Sequence, residues 1–402
     1  MEYDPRLPEV IANPIPFLQW LQDNDPVHWS DPLGGWVLTR YDDVRKALTS
    51  DWLSADRLTP YLQSQSADRQ DRMANLIRFL NTWLAFKDPP EHTRLRTLLN
   101  KIITPTLMRR LEAGIQTIVD HLIADLHKSE GQDIEFIASF ANPLPASVIM
   151  NLLGVPLEDM PKLRDWSALV QPFIGAARNT EDKIDLGEQG MLALVEYFRA
   201  AIRQRKITPT DDVISHFIAL CDEGDLTEDE LIGSSILFLF AGHETTTNLI
   251  GNGLRALIAN PDQMAALRAN PALIDSAVEE MLRYDGPTGA LVRLIKHEVT
   301  LEGKSLKVGD RVFLMINAAN HDPRKFADPE SFLITREANQ HMAFNHGAHF
   351  CLGAPLARAE ARIALSTLLK NFSKIELAGP PIEYMDTLVM RGVRHMWVRL
   401  KS

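Results

Sequence analysis

One cysteine, Cys351, lies in a glycine-containing loop directly before a strongly helical segment. The loop reads FNHGAHFCLG from Phe344 to Gly353, and APLARAEARIALSTLLKNF follows it. A thiolate in this position is stabilised by the free backbone N–H groups and by the dipole of the helix. Thiolate is a soft ligand for iron, and a lone cysteine suits haem better than zinc, which would need four ligands. These properties are compatible with an iron–thiolate centre, although an isolated cysteine is ordinarily part of a protein core.

A second reactive stretch, Ala241 to Thr247, reads AGHETTT in the middle of a long helical segment. Glycine, an acid and three β-branched hydroxyl residues form helices poorly, so the stretch predicts a local opening of the hydrogen-bond ladder. His243-Glu244 begins like the HExxH motif of zinc proteases, but Thr247 occupies the position of the second histidine, so a zinc site of this type is excluded. The GxGxxA pattern that starts at Gly251 has no strand before it, so a dinucleotide site is excluded as well.

The helix that carries this stretch has recognisable ends. Thr227 and Glu230 have the Thr-x-x-Glu spacing of a capping box, and the helical pattern continues to Asn260, where Pro261 stops it. About 33 residues at about 1.5 Å each give a length of roughly 50 Å. Such a helix is long enough to cross a whole domain.

Extended segments are short. An apolar alternation predicts a strand over Gly35–Arg40, with a helix after it. Val299–Leu306 reads as a hairpin, and Arg311–Asn317 reads as a further strand. No linker rich in glycine or serine, repeat or low-complexity tract divides the chain, so residues 1–402 are expected to form a single domain.

Composition restricts the class of protein. The chain has 402 residues, of which 45% are hydrophobic and 24% charged, and a net charge of −11 argues against nucleic-acid binding and against a polybasic membrane patch. The first residues have no signal-peptide pattern, and no apolar run is long enough to span a bilayer. Cys221 and Cys351 provide no disulfide framework, so a cytoplasmic location is expected.

The loop around Cys351 resembles the haem-ligand loop of the cytochrome P450 superfamily, Phe-Gly-x-Gly-x-His/Arg-x-Cys-x-Gly. Asn345 replaces the first glycine, and asparagine adopts left-handed backbone conformations more easily than other non-glycine residues. The AGHETT stretch is similar to the family's Ala-Gly-x-Asp/Glu-Thr-Thr motif. The resemblance implies a mainly α, cytochrome P450-like single domain of about a dozen helices with small peripheral β-sheets.

Glu280 and Arg283, in AVEEMLRY, resemble the Glu-x-x-Arg pair of the same family. Alone, such a pair is usually a surface salt bridge of small worth. The family usually closes the pair with an arginine in a Pro-x-Arg-Phe segment, where this chain has Ser331. The motif therefore does not identify the residue that completes the Glu280–Arg283 pair in this chain, and Arg336 is the candidate substitute.

The resemblance implies that Cys351 is the axial ligand of haem b and that Phe344 shields its sulfur. His92 and Arg96 share one helix face, which is more often a solvated surface but here matches the family's propionate contacts. The implied haem contacts are His92, Arg96, Ala241, Arg293 at the start of a strand, Phe344, His349, Cys351 and Gly353. The implied substrate-pocket residues are Leu237, Ala241, Ala290, Leu291, Val389 and Met390.

By resemblance, the reaction inserts one oxygen atom of O2 into a C–H or C=C bond of an apolar small molecule. Oxygen activation consumes two protons, and Thr245 and Glu244 are the candidates to deliver them into a site kept dry. Electrons would come from NAD(P)H through a separate ferredoxin and ferredoxin reductase, and the enzyme would act as a monomer. Two alternatives stay open: a peroxygenase or non-redox enzyme on the same haem, and a haem sensor without turnover.

Four basic residues are candidates for docking the ferredoxin. Arg94 and Lys101 share a face of the helix that carries His92, and Arg358 and Arg362 share a face of the helix after Cys351. Because the chain has a net charge of −11, an acidic ferredoxin would need a local basic patch. The alternative is four ordinary solvated charges.

Overall fold

The computed structural model describes residues 3–174 and 182–402, which are mainly helical, as the sequence predicts. These residues form seventeen α-helices, twelve of which are at least eight residues long. The helices are α1 (Pro8–Ala12), α2 (Ile15–Asn24), α3 (Tyr41–Leu48), α4 (Leu58–Gln63), α5 (Ala67–Arg72), α6 (Ala74–Leu80), α7 (Glu91–Ile102), α8 (Pro105–Lys128), α9 (Pro143–Leu153), α10 (Met160–Ile174), α11 (Lys183–Ile207), α12 (Val213–Asp222), α13 (Glu228–Ala259), α14 (Pro261–Ala269), α15 (Ile274–Asp285), α16 (Ile316–Asn320) and α17 (Ala354–Asn371).

The strands are short and belong to small sheets. They are β1 (Val27–Ser30), β2 (Gly35–Leu38), β3 (Leu53–Ser54), β4 (Asp133–Glu135), β5 (Ala290–Ile295), β6 (Val299–Leu301), β7 (Lys304–Leu306), β8 (Arg311–Met315), β9 (Lys374–Tyr384) and β10 (Val393–Lys401). The predicted hairpin is confirmed, because β6 and β7 pair antiparallel. The strand predicted over Arg311–Asn317 ends earlier, at Met315, because α16 begins at the next residue.

The chain forms two compact units. The first consists of Met1–Leu53, Glu112–Pro145 and Glu244–Ser402, and the second of Ser54–Leu111 and Ala146–His243. The first unit contains β5–β10 and α14–α17, and the second contains α4–α7 and α10–α12. The single domain expected for residues 1–402 stays a prediction.

In the first unit, β1, β2, β8 and β5 lie side by side in this order. Successive residues of a strand point to opposite faces of its sheet. Accordingly, Val312 and Leu314 of β8 pack into one apolar cluster, and Phe313 and Met315 pack into another. β8 is therefore buried on both faces and fixes the position of its neighbour β5.

The long helix α13 begins with the predicted capping box. The backbone N–H of Glu230 donates to Thr227 Oγ1 at 3.2 Å, and the backbone N–H of Thr227 donates to Glu230 Oε2 at 2.9 Å. The opening predicted at Ala241–Thr247 is wrong, because the backbone is α-helical at every residue of this segment. Ile149 of α9 packs so closely that a Cβ at position 242 would lie 2.6 Å from its Cδ1. This packing stabilises the helix where its own sequence is weakest.

Within residues 3–174 and 182–402, no helix combines the length and the apolar character that crossing a bilayer requires.

Candidate functional site

Cys351 is held at the N-terminus of α17 by its own backbone. Its N–H donates to the carbonyl of Phe344 at 2.9 Å, and its carbonyl accepts from the N–H of Ala354 at 3.4 Å. Gly353 leaves space beside the thiol, since a Cβ there would lie 3.9 Å from Cys351 Sγ. The partly buried thiol therefore lies where free helical N–H groups stabilise its thiolate form.

Two residues with left-handed backbones shape the loop. Asn345 has φ of 67° and Gly347 has φ of 71°. The Asn345 side chain supports its turn, because Oδ1 accepts from the N–H of His346 at 2.7 Å. The prediction that asparagine can replace glycine at this position is confirmed.

The residues around Cys351 fit a haem iron. A thiolate is a suitable axial ligand, and the porphyrin itself supplies four nitrogen ligands, so no further protein donors are needed. The described part of the chain holds no group of three or more His, Cys, Asp or Glu residues that could hold a metal ion. Phe344 is buried beside the loop, and its ring centroid lies 6.3 Å from that of Phe350. The partly buried His349 ends a 3-10 turn over Gly347–His349.

Glu244 and Thr245 lie on α13, in the part that belongs to the first unit. Burial raises the pKa of Glu244 to about 7. A carboxyl group with this pKa changes its protonation state in the neutral range. Thr245 is partly buried, and Thr246 beside it is fully buried.

Four predicted site residues lie in the second unit. His92 and Arg96 lie on α7, where His92 is buried and Arg96 partly buried. Leu237 and Ala241 lie four residues apart on α13 and so share one face, where Leu237 is partly buried and Ala241 exposed. The propionate and pocket roles of these residues stay predictions.

Arg293 lies within β5 and not at the start of a strand. β5 begins at Ala290, and Arg293 is paired with Val312 of β8. Its Nη1 donates to the carbonyl of Val292 at 2.9 Å. The expected position is wrong because the strand extends through the apolar residues before Arg293, and both of its faces are packed.

The structure brings three of the other pocket candidates, Ala290, Val389 and Met390, close together and places Leu291 apart from them. The carbonyl of Val389 accepts from the N–H of Gly289 at 2.8 Å, and Met390 forms a bridge with Thr288. Ala290 and Val389 pack in the same apolar cluster, whereas Leu291 packs in the cluster on the other face of β5. Ala290 and Leu291 therefore cannot both line one pocket from the same face of the strand.

Sequence reasoning missed Asp285, which anchors the turn that contains Arg391. Its buried carboxylate accepts from Arg391 Nε at 3.0 Å and from Arg255 Nη2 at 2.7 Å. Burial would raise the pKa of Asp285, but these two guanidinium groups hold it below its ordinary value. Only the three-dimensional fold brings the two arginines, which lie on opposite sides of Asp285 in the sequence, to one carboxylate.

Glu280 and Arg283 form a fully buried, bidentate pair, with both nitrogen–oxygen distances at 2.8 Å. Arg336 is the third member, because its Nε lies 3.1 Å from both carboxylate oxygens of Glu280. Ser331 takes part through its carbonyl, which accepts from both arginines at 3.0 and 2.9 Å. The hypothesis that Arg336 substitutes for the missing arginine is thus confirmed. The network ties the segment before the Cys351 loop to α15.

The four candidate docking residues are all engaged in ion pairs. Arg94 pairs with Glu230, Lys101 with Asp225 at 3.5 Å, Arg358 with Glu279 at 2.6 Å and Arg362 with Glu112 at 2.9 Å. Each positive charge therefore has an adjacent negative one. Each of the two helix faces is therefore less basic than the sequence suggests, because spacing on one helix does not reveal acids supplied by other segments.

The chain is similar to known proteins over nearly its whole length. A family model described as Cytochrome P450 matches residues 58–395. The polyketide biosynthesis cytochrome P450 PksS of Bacillus subtilis (strain 168) is 35% identical, and the match covers 100% of this chain and 99% of that protein. The vitamin D(3) 25-hydroxylase of Pseudonocardia autotrophica is 37% identical, and the match covers 96% and 94% of the two chains.

Solved structures agree with these matches. P450BioI, in complex with an acyl carrier protein that carries hexadec-9Z-enoic acid, superimposes with a TM-score of 0.90 at 34% identity. The superposition covers 98% of this chain and 99% of that one. A myxobacterial protein in complex with myristic acid, CYP267B1, gives a TM-score of 0.89 at 33% identity, with 99% and 98% covered.

Proposed function

Because the chain belongs to the cytochrome P450 family, we propose that it inserts one oxygen atom of O2 into an unactivated bond of an apolar small molecule. The observation that carries the proposal is the thiol of Cys351 at the N-terminus of α17, in a loop shaped by Asn345 and Gly347. Haem b, when bound, supplies the activation of dioxygen. Cys351 would be its axial ligand, beside Phe344 and Gly353.

The same proposal assigns the haem propionates to basic side chains, His92, Arg96, Arg293 and His349. Ala241 would be a further haem contact. Electrons would come from NAD(P)H through a ferredoxin and its reductase. The protein would work in the cytoplasm, where reduced cysteines are stable.

The pocket candidates and the relatives support a proposal for the substrate class. The side chains of Leu237, Val389 and Met390 are apolar and partly buried, so they favour an apolar substrate over a charged one. The names of the relatives mention a polyketide pathway, vitamin D(3) and fatty acyl chains, which are large and mostly apolar. We propose a substrate of this type from secondary metabolism.

One experiment separates the candidate functions. The haem-loaded protein is incubated with NADPH, a surrogate ferredoxin and its reductase, and a library of apolar compounds that shift its spectrum. A monooxygenase gives product in proportion to the NADPH consumed, with one oxygen atom from 18O2. A peroxygenase gives product with peroxide alone, a non-redox enzyme gives product without either oxidant, and a sensor gives none.

Thr245→Ala should uncouple electron consumption from product formation. The proposed role of the Thr245 hydroxyl is to hold the proton-delivery path at the reacting oxygen, so its loss diverts reduced oxygen to peroxide. We expect NADPH oxidation to continue while product per NADPH falls by roughly 100-fold, the lower end of the range typical of acid–base groups. Thr245→Ser, which keeps the hydroxyl, is the control. Unchanged coupling in the alanine variant would assign this role to another group.

Glu244→Gln should slow turnover and remove its dependence on pH near neutrality. The pKa of Glu244 is raised to about 7 by burial, so the fraction that carries a proton falls as pH rises through 7. If Glu244 delivers protons, coupled turnover of the unmodified enzyme declines above about pH 7, whereas the glutamine variant is slow and flat. Stopped-flow and product assays between pH 6 and about 8.5 measure this. If coupled turnover declines with pH in the same way in both enzymes, Glu244 does not deliver the protons.

A further inference from the structure

Three side chains from separate segments of the first unit meet beside the Cys351 loop. They are Glu279 of α15, His341 of the segment before the loop and Arg358 of α17. Arg358 donates from Nε and Nη2 to the two carboxylate oxygens of Glu279, at 2.6 and 2.8 Å. His341 Nε2 lies 3.2 Å from Glu279 Oε2. We call this group the Glu279 cluster.

The imidazole of His341 has a defined orientation. The backbone N–H of Ala343 donates to His341 Nδ1 at 3.2 Å, so that nitrogen is the acceptor of the neutral ring. The proton is then on Nε2, which donates to Glu279. The His341 side chain is only 3% exposed, so this arrangement is protected from water.

Glu279 is an anion throughout the neutral range. Burial alone would raise the pKa of Glu279, but hydrogen bonds from Arg358 and His341 lower it to about 2. A permanent carboxylate with two oriented donors is a rigid clamp for the guanidinium. Arg358 is therefore fixed in place and is not a freely moving surface side chain.

The clamp holds Arg358 against Phe344, the first residue of the Cys351 loop. Arg358 Cζ lies 4.6 Å from the centroid of the Phe344 ring, and the carbonyl of Phe344 accepts from the N–H of Cys351. The pKa of Arg358 is raised mainly by its hydrogen bond to Glu279, so the guanidinium keeps its positive charge. The fixed positive charge of Arg358 therefore lies on the ring of the residue whose carbonyl accepts from the Cys351 N–H.

We propose that Arg358 is a positioning residue that acts through Cys351 and sets the reduction potential of the haem iron. The inference rests on the proposed role of Cys351 as axial ligand. A positive charge held near the sulfur stabilises electron density there, so the thiolate donates less to iron and the ferrous state is favoured. Glu279 and His341 fix the distance at which this charge acts.

The test measures the reduction potential of the haem-loaded, full-length protein by spectroelectrochemical titration. Arg358→Gln should shift the equilibrium about tenfold towards the ferric state, which is about 59 mV for a one-electron couple. Arg358→Lys keeps the positive charge but lacks the planar guanidinium, so its shift in potential should be smaller than that of Arg358→Gln. Arg362→Gln is the matched control, since Arg362 is one turn further along α17, is also ion-paired and is exposed to nearly the same extent, 37% against 38%. Its potential should equal that of the unmodified protein.

The proposed role of Arg358 and the proposed ligand role of Cys351 can be contradicted separately. The ferrous carbon monoxide spectrum of the unmodified protein reports whether a thiolate binds the iron. If its thiolate-type band is present and Arg358→Gln shifts the potential no more than Arg362→Gln does, the role of Arg358 is wrong while the ligand assignment stands. If the band is missing from the unmodified protein, both are wrong.

Discussion

Replacing Cys351 with alanine should remove the red-shifted Soret band of the ferrous carbon monoxide complex and reduce monooxygenase turnover to the background rate. A methyl group cannot bind iron, and the only other cysteine, Cys221, lies on α12 in the second unit. The fold should persist, because the Cys351 thiol is only partly buried and its removal leaves a small loss of packing. Difference spectra of the purified protein, with circular dichroism as a check of folding, measure both effects.

Cys221→Ala is the control for this experiment. Cys221 is also partly buried, and burial raises the pKa of its thiol, so it has no tendency to form a thiolate at neutral pH. The alanine variant should keep the full thiolate-type band. Retention of the band in Cys351→Ala would overturn the central assignment, whatever the behaviour of Cys221→Ala.

Local sequence signals were sufficient to predict the ends of α13 and the backbone conformation of the Cys351 loop at Asn345. The capping box at Thr227 and the proline after Asn260 fixed both ends of α13 to within one residue. The left-handed backbone of Asn345 followed from the conformational preference of asparagine. These features depend on interactions between residues near in sequence, which a single sequence displays.

Features that depend on tertiary packing could not be predicted in the same way. The weak helix-forming stretch at Ala241–Thr247 stays helical because Ile149, far away in sequence, packs against it. Arg358 and Arg362 read as a basic face, yet Glu279 and Glu112 neutralise them from other helices. The partner of an ionic side chain is set by the path of the whole chain, and the periodicity of one helix contains no information about it.

Some contacts of the buried network around Glu280 could be predicted from the sequence, and others could not. The Glu280–Arg283 pair was visible as a motif, and Arg336 was named as the substitute for the arginine absent at Ser331. The sequence did not reveal that Leu333 N–H and Asn339 Nδ2 also donate to Glu280, at 2.9 and 3.0 Å. One carboxylate thus organises the segment before the Cys351 loop.

Glu280→Ala should destabilise the protein by about 3–5 kcal/mol, because it leaves the buried Arg283 charge without its partner. Arg336→Gln should cost less, since the Arg336 side chain is slightly exposed, at 7%, and Glu280 keeps Arg283 as its partner. Urea unfolding followed by circular dichroism gives the free energies of unfolding, provided that the slopes with denaturant agree.

Arg78→Ala is the control that separates the effect of burying an ion pair from the effect of its bidentate geometry. Arg78 forms a bidentate pair with Asp229, at 2.7 and 2.8 Å, so its geometry matches that of Arg283 and Glu280. The Arg78 and Asp229 side chains are 54% and 31% exposed, whereas those of Arg283 and Glu280 are fully buried. Solvent screens the exposed pair, so its loss should cost no more than about 1 kcal/mol. Equal losses in Glu280→Ala and Arg78→Ala would mean that the buried network does not stabilise the fold, and that Glu280 serves only to orient the segment before Cys351.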